Sequence, residues 1–346
     1  MCADLARDCR IIGIDKRPPS ASLRQAVPNA QWHVLDVSNP AGLHEVFRQN
    51  VRLKQPVDYI LHFAAFYHYG PDWRTDYEIT NIRGTANIID VACCWGVKRV
   101  LFAASIGSLK PPPAGASLTE SAQETVEFAY CKSKAMGETI MSSSTHRTGT
   151  IVLRIGGVFS DWCELPPLYS LIRLWSRRSP IGRCVPGLGN SGFPYIHRHE
   201  LVQMVRRIVS LDDELDEFET FFGSENGCTS HNQLFPVIRK ENGYGVHSSP
   251  IHVPPILANW QMSGKYVWNI LRRKKTYERP WMLHYVDRPI RVDNTRTRER
   301  LHWTPHPDFS VLNRLPVIIR NFKTDRNLWE ARNIRRNEAR YEYHPD

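Results

Sequence analysis

Tyr130 and Lys134 stand four apart in AYCKSKAM, so on a helix their side chains share one face a turn apart. An ammonium held there favours phenolate over phenol, which lets Tyr130 exchange a proton with an alcohol or carbonyl near neutral pH. The pair alone is weak evidence, because Tyr and Lys at this spacing also occur as plain surface packing. Ser105 adds to it. It ends the apolar run RVLFAAS, 25 positions before Tyr130, and the carboxyl end of a parallel strand is where such sheets present side chains to a ligand crevice. A hydroxyl there could hydrogen-bond the reacting oxygen and hold it near the phenol.

Positioning these groups requires a doubly wound α/β fold, and the first 160 residues have that texture. Short runs apolar on both faces predict parallel strands at Arg10 to Ile14, Gln31 to Leu35, Asp58 to Phe63, Arg99 to Ala104 and Gly149 to Ile155. Helices are predicted at Pro40 to Gln49, Asn81 to Trp95 and Phe128 to Ser142, the second burying a stripe of Ile82, Ala86, Ile89 and Ala92. Asp15 falls at the end of RIIGID and Asp36 after HVL. In a dinucleotide fold Asp15 would accept from adenosine-ribose hydroxyls and repel a 2′-phosphate, favouring NAD, while Lys16 and Arg17 beside it leave NADP open. Asp36 would meet the adenine ring. Both can equally be ordinary loop or capping residues.

Beyond Ser160 the pattern changes to a Pro-, Trp- and Arg-rich stretch, the turn GLGNSG at 187–192, a strand entering a helix at YIHRHELV, a strand at Glu219 to Phe222 and a helix at Ser230 to Asn242. His62, His197 and His199 lack the companion ligands that a metal site needs, so no metal is expected. The chain has 346 residues, 42% hydrophobic and 23% charged, which excludes disordered and collagenous classes. No apolar run reaches membrane-span length, and the charged MCADLARDCR has no signal-peptide core. Eight cysteines without metal or redox spacing predict reduced thiols in a cytoplasmic protein. Of the formal +10 charge, +9 falls on Gln261 to Asp346, with 19 Lys and Arg against 10 Asp and Glu. That basic quarter could meet substrate phosphate, an anionic membrane surface or only water; no nucleic-acid motif accompanies it.

The order IIGID, HVLDV, ILHFAA, NIRGTANIIDVA, VKRVLFAAS, YCKSK and VLRIGGVF, continuing through PYIHRHELV, TFFGSENG and VDNTRTRERLHWTP, resembles the extended short-chain dehydrogenase/reductase family over about residues 5 to 320. That family includes NAD-dependent epimerases and dehydratases and 3-beta-hydroxysteroid dehydrogenases. The resemblance implies a Rossmann-like domain over 1–160 with returning segments at about 193–225, a smaller α/β substrate domain over 161–192 and 226–320, and a basic helical tail at 321–346. It also implies that Tyr130 is the acid/base and Lys134 its modulator and the nicotinamide-ribose anchor, with Ser105 the substrate-oxygen donor. The cofactor contacts would come from Asp15, Asp36, Ala64, Ala65 and Asn81. A homodimer paired through the helices of Asn81 and Tyr130 is a further implication.

One departure concerns the glycine-rich strand and turn that open the family and hold the cofactor pyrophosphate. Only Gly13 precedes Asp15, so that strand and turn are expected to be missing from the sheet, as in an N-terminally truncated product or a degenerate homologue, with weak NAD binding in consequence. The expected reaction is hydride transfer at a secondary alcohol or ketone. A nucleotide-sugar substrate would place Arg288 and Arg291 on a diphosphate. A lipophilic alcohol, as in hydroxysteroid dehydrogenases, would instead use the aromatic segment Ile256 to Leu271 and the following RRKK, an arrangement suited to peripheral membrane contact. A non-catalytic homologue is the third reading, which Ser105, Tyr130 and Lys134 disfavour.

Overall fold

The computed structural model describes residues 1–68, 72–124, 128–245, 248–254 and 286–341. A short helix, α1 (Cys2–Leu5), precedes β1 (Ile12–Asp15), α2 (Ala21–Ala26) and β2 (Gln31–Val34). Then come α3 (Pro40–Arg52), β3 (Tyr59–His62), a π-helical turn at Tyr77–Arg83, α4 (Gly84–Cys94), β4 (Arg99–Ser105), α5 (Ala129–Ser142) and β5 (Gly149–Ile155). The five predicted strands and three predicted helices of this half all form, with ends displaced by a few residues. β4 is buried from Arg99 to Ala104, as a strand covered on both faces requires. Its one charge, Arg99, donates to Asp212 at 2.5 Å and to the Asp216 carbonyl at 2.7 Å, which offsets the desolvation of the guanidinium.

The buried stripe of α4 differs from the prediction. Ala86 is exposed and Ile82 half-buried, whereas Thr85, Ile88, Ile89, Val91 and Ala92 are buried. Ile89 and Ala92 are buried as predicted; the mismatch lies at the start, where the π-helical turn winds more widely than an α-helix.

The later elements are β6 (Gly157–Phe159), α6 (Pro166–Trp175), β7 (Cys184–Pro186), β8 (Gly192–Phe193), β9 (Tyr195–His197), α7 (Arg198–Ser210), β10 (Phe218–Gly223), β11 (Thr229–Ser230), α8 (His231–Glu241) and β12 (Ile251–Val253). Helices at Thr295–Leu301, Val311–Thr324 and Arg326–Tyr341 close the described chain. The main sheet runs β10-β5-β4-β3, all parallel, while β1 and β2 form a separate parallel pair. The division between β1 and β3 falls where the sequence predicts a missing strand. One core nevertheless spans it: Ile12 and Ile14 of β1 and Ile60 of β3 pack against the same cluster of Val46, Ile88, Val100 and Val152. A second cluster, of Met204, Val205, Ile208 and Phe221, covers the opposite face.

The C-terminal half has its own core, in which Leu168 and Trp175 of α6, Leu234 and Phe235 of α8 and Leu315 and Ile319 meet Trp329. In the GLGNSG turn, Gly187 and Gly189 take φ of +64° and +78°, which an L side chain resists. The Asp287 carboxylate fixes this turn by accepting from the amides of Leu188 at 2.7 Å and Asn190 at 3.0 Å. The aromatic segment Ile256 to Leu271 and the RRKK run lie outside the described residues. No helix among the described residues is long and apolar enough to cross a membrane.

Candidate active site

The carboxyl end of β4 and the first turns of α5 meet at one place. Ser105 ends β4, and its Oγ accepts from the Gly107 amide at 3.1 Å, capping a 3-10 turn at Ile106–Ser108. That contact uses a lone pair of the hydroxyl and leaves its hydrogen to donate to a substrate oxygen. The carbonyl of the same Gly107 accepts from Cys131 Sγ at 2.9 Å, which ties the turn to the residue after Tyr130. Tyr130 is half-buried, and its ring meets Tyr67 edge-on at 4.4 Å. The structure thus brings Ser105, Tyr130 and Lys134 to one end of one strand–helix pair.

Asn81 locks the loop after β3 to this helix. Its Oδ1 accepts from the Phe66 amide at 2.7 Å, and its Nδ2 donates to the Phe66 carbonyl at 3.0 Å and to Ser133 Oγ at 2.8 Å. Ser133 in turn donates to the Tyr130 carbonyl at 2.7 Å. The buried amide of Asn81 is therefore fully engaged with the protein, and it fixes where Ala64 and Ala65, both exposed in that loop, stand relative to Tyr130.

Lys134 is buried, with Nζ 4.1 Å above the Phe102 ring. Gly137 permits this arrangement, since a Cβ there would fall 2.5 Å from Phe102. Burial pushes the Lys134 ammonium down to about 7, and the Glu138 carboxylate opposes the shift. Glu138 follows on the next turn of α5, and its Oε2 accepts from Arg154 Nε at 2.9 Å and Nη2 at 2.7 Å. Neither Glu138 nor Arg154 was among the sequence candidates. The usable signals were the Lys-to-Glu spacing of four and a lone arginine inside the apolar run VLRIGG.

His62, at the end of β3, is buried with its Nε2 3.0 Å from Thr85 Oγ1. Burial, reinforced by Lys134, holds its pKa down to about 3 against an ordinary 6.5. The native state therefore refuses a proton that the unfolded chain accepts, and this contribution is complete above pH 6.5 and lost as pH falls toward 3. A His62→Gln variant is expected to gain stability relative to the parent between pH 6.5 and 4, by at most about 1.4 kcal/mol per pH unit. Urea midpoints of the two proteins measured across that range check it; a constant difference refutes it.

Asp15 is exposed at the end of β1, and its Oδ1 accepts from the Arg17 amide at 2.9 Å. Asp36 Oδ1 accepts from the Ser38 amide at 2.8 Å and its Oδ2 pairs with Lys16 at 2.9 Å. Burial raises its pKa, but the Ser38 amide and Lys16 outweigh that and hold it below the usual carboxylate value. Arg288 and Arg291 are exposed on a separate segment, which is tied to β8 through Ile290 and to Leu118 through the Arg291 carbonyl.

Residues of the types expected at the two ends of a dinucleotide are present. Lys134 offers a buried ammonium that stacks on an aromatic ring, and Asp15 offers an exposed carboxylate at a strand end. The pyrophosphate between them finds no glycine turn beside β1. Gly13, the only glycine in the first 41 residues, lies within the strand, where a Cβ would stand 2.2 Å from the Trp32 ring.

The profile of the NAD dependent epimerase/dehydratase family matches residues 1–221. No curated protein sequence matches the chain. Among solved structures it is similar to a UDP-glucose 4-epimerase with UDP-glucose from Thermotoga maritima, with a TM-score of 0.63 at 19% identity over 92% of both chains. It is similar also to DesIV, a dTDP-glucose 4,6-dehydratase of Streptomyces venezuelae with NAD bound, with a TM-score of 0.65 at 18% identity over 93% of this chain and 90% of that one. A dTDP-glucose 4,6-dehydratase of Bacillus anthracis in complex with NAD gives 0.67 at 15% identity, over 96% and 93%. At these identities the structural likeness shows the fold, a two-domain Rossmann-like α/β architecture. The profile covers well over half the sequence and includes Ser105, Tyr130 and Lys134, and on that match the chain belongs to the NAD dependent epimerase/dehydratase family, whose members are enzymes.

Proposed function

We propose that this chain carries out hydride transfer coupled to proton transfer at a secondary alcohol or ketone of a nucleotide sugar. The observation that carries the reading is the junction of β4 and α5 through Gly107, which sets the donor hydrogen of Ser105 beside the helix bearing Tyr130 and Lys134. Tyr130 exchanges the hydroxyl proton of the substrate, and Lys134 stabilises the phenolate that results. Ser105 donates to the substrate oxygen and orients it toward the phenol. NAD supplies the acceptor for the hydride of the alcohol carbon and, in an epimerase or dehydratase, the donor that returns it. Lys134 and Asp15 would hold its nicotinamide and adenosine ends; Lys16 is drawn onto Asp36, but the Arg17 guanidinium stays 3.8 Å from the Asp15 carboxylate, so NADP remains open beside NAD.

Two points support a sugar nucleotide. The similar solved structures are of UDP- and dTDP-sugar enzymes, and the exposed Arg288 and Arg291 are suited to a diphosphate. A cytoplasmic homodimer paired along α4 and α5 fits the exposed Ile79, in the π-helical turn before α4, and the exposed Met136 within α5. The test is a panel of UDP- and dTDP-sugars with NAD, followed by NADH absorbance and by NMR of the sugar. An epimerised, dehydrated or oxidised sugar is expected. Turnover of a 3-hydroxysteroid with none of the sugars would overturn the substrate class.

A further inference from the structure

Beneath the Tyr130–Lys134 face lies a buried ionic pair that the chemistry above does not use. Arg154, on β5 under α5, directs both Nε and Nη2 at one oxygen of Glu138 and donates Nη1 to the Glu120 carbonyl at 2.8 Å. The other oxygen, Oε1, is buried and has no hydrogen-bond partner among the described residues. Leaving a carboxylate oxygen bare in the interior costs free energy unless its field is used. Four residues back along the same helix stands the buried ammonium of Lys134, whose other neighbours, the Phe102 ring and a neutral His62, offer it no full negative charge. Glu124, in the segment leading into α5, lies against the Glu138 carboxyl and, as a like charge, adds to burial in pushing its pKa up, while Arg154 lowers both.

We propose that Glu138, anchored by Arg154, is the positioning residue that keeps Lys134 charged beneath Tyr130 and so sets the pH window of the active site. The proposal rests on the reading of Tyr130 and Lys134 as an acid–base pair. Burial, helped by the nearby Glu124 carboxyl, pushes the Glu138 pKa up to about 7 even though Arg154 opposes it, so Arg154 is the group that keeps the carboxylate form accessible near neutral pH. Removing the negative charge makes Lys134 shed its proton at lower pH, and the loss of that ammonium makes the Tyr130 phenol harder to ionise. The limb of the pH profile governed by Tyr130 then moves up, the limb governed by Lys134 moves down, and the active window closes from both sides.

The test compares Glu138→Gln, alone and combined with Arg154→Met, with the parent protein. The double variant removes the whole pair and avoids an unpaired buried guanidinium, so it carries the test if the single variant fails to fold. Each limb of the turnover profile is expected to move inward by about 1 pH unit. The Tyr130 phenolate, read as the ultraviolet difference between each protein and its Tyr130→Phe counterpart, is expected to titrate at higher pH by a similar amount. Glu138→Asp should restore part of both shifts. A folded double variant with unchanged limbs and an unchanged phenolate titration overturns the proposal. If Tyr130→Phe itself leaves turnover intact, the acid–base reading fails instead, and the phenolate titration still reports whether Glu138 governs the charge beside it.

Discussion

Tyr130→Phe is expected to lower turnover by about 10²- to 10⁴-fold, the usual contribution of a positioned general acid–base. The substitution removes one oxygen and little else. The ring stays against Tyr67, the backbone carbonyl still accepts from Ser133, and Lys134 keeps its place over Phe102. Affinity for NAD and thermal stability should therefore remain close to those of the parent. A drop in kcat with little change in KM would be the signature of a group whose interaction strengthens only in the transition state. Rates for parent and variant on the same sugar nucleotide, with NAD titrated separately by calorimetry, decide the matter. Undiminished turnover would remove Tyr130 from the reaction.

The parts of this site legible in the sequence depend on local spacing. Tyr130 and Lys134 could be read because four residues make a helical turn, and Ser105 because it ends an unbroken apolar strand. The strands themselves were readable for the same reason: burial on both faces leaves a run with no polar alternation. What escaped depends on partners far apart in sequence. The amide of Asn81 has its hydrogen-bonding partners on Phe66 and Ser133, 15 and 52 positions away. The sequence placed it near the cofactor but not as the lock between the β3 loop and α5. Arg154 reaches Glu138 across a strand–helix contact that no periodicity reports. The stripe of α4 is buried at Ile89 and Ala92 but fails at its first turn, where a count at 3.6 residues meets π-helical winding.

Trp329→Ala is expected to destabilise the protein by about 3 to 5 kcal/mol, the range for removing a large buried aromatic side chain. The sequence NLWEARNIRR reads as an amphipathic, charge-laced helix, and Trp329 is fully buried on the helix Arg326–Tyr341. Its ring stacks on Tyr169 at 5.0 Å and meets Phe322 edge-on at 4.7 Å. The indole N–H has no acceptor among the described residues, so the contacts that hold the residue there are packing rather than hydrogen bonding. The same helix face reaches the loop after β6: Asn333 accepts from the Glu164 amide and donates to the Trp162 carbonyl, both at 2.8 Å, while Arg332 pairs with the Glu164 carboxylate at 2.7 Å. That loop holds Cys163 and Glu164 at φ of +70° and +57°, a conformation that non-glycine residues resist and that needs outside support. Losing Trp329 should therefore leave a cavity and also loosen these two residues, so protease cleavage near Glu164 should quicken as the urea midpoint falls. Leu328→Ala, on the neighbouring exposed position, is the control and should change stability by less than about 0.5 kcal/mol. Equal effects of the two substitutions would show that the helix does not dock through Trp329.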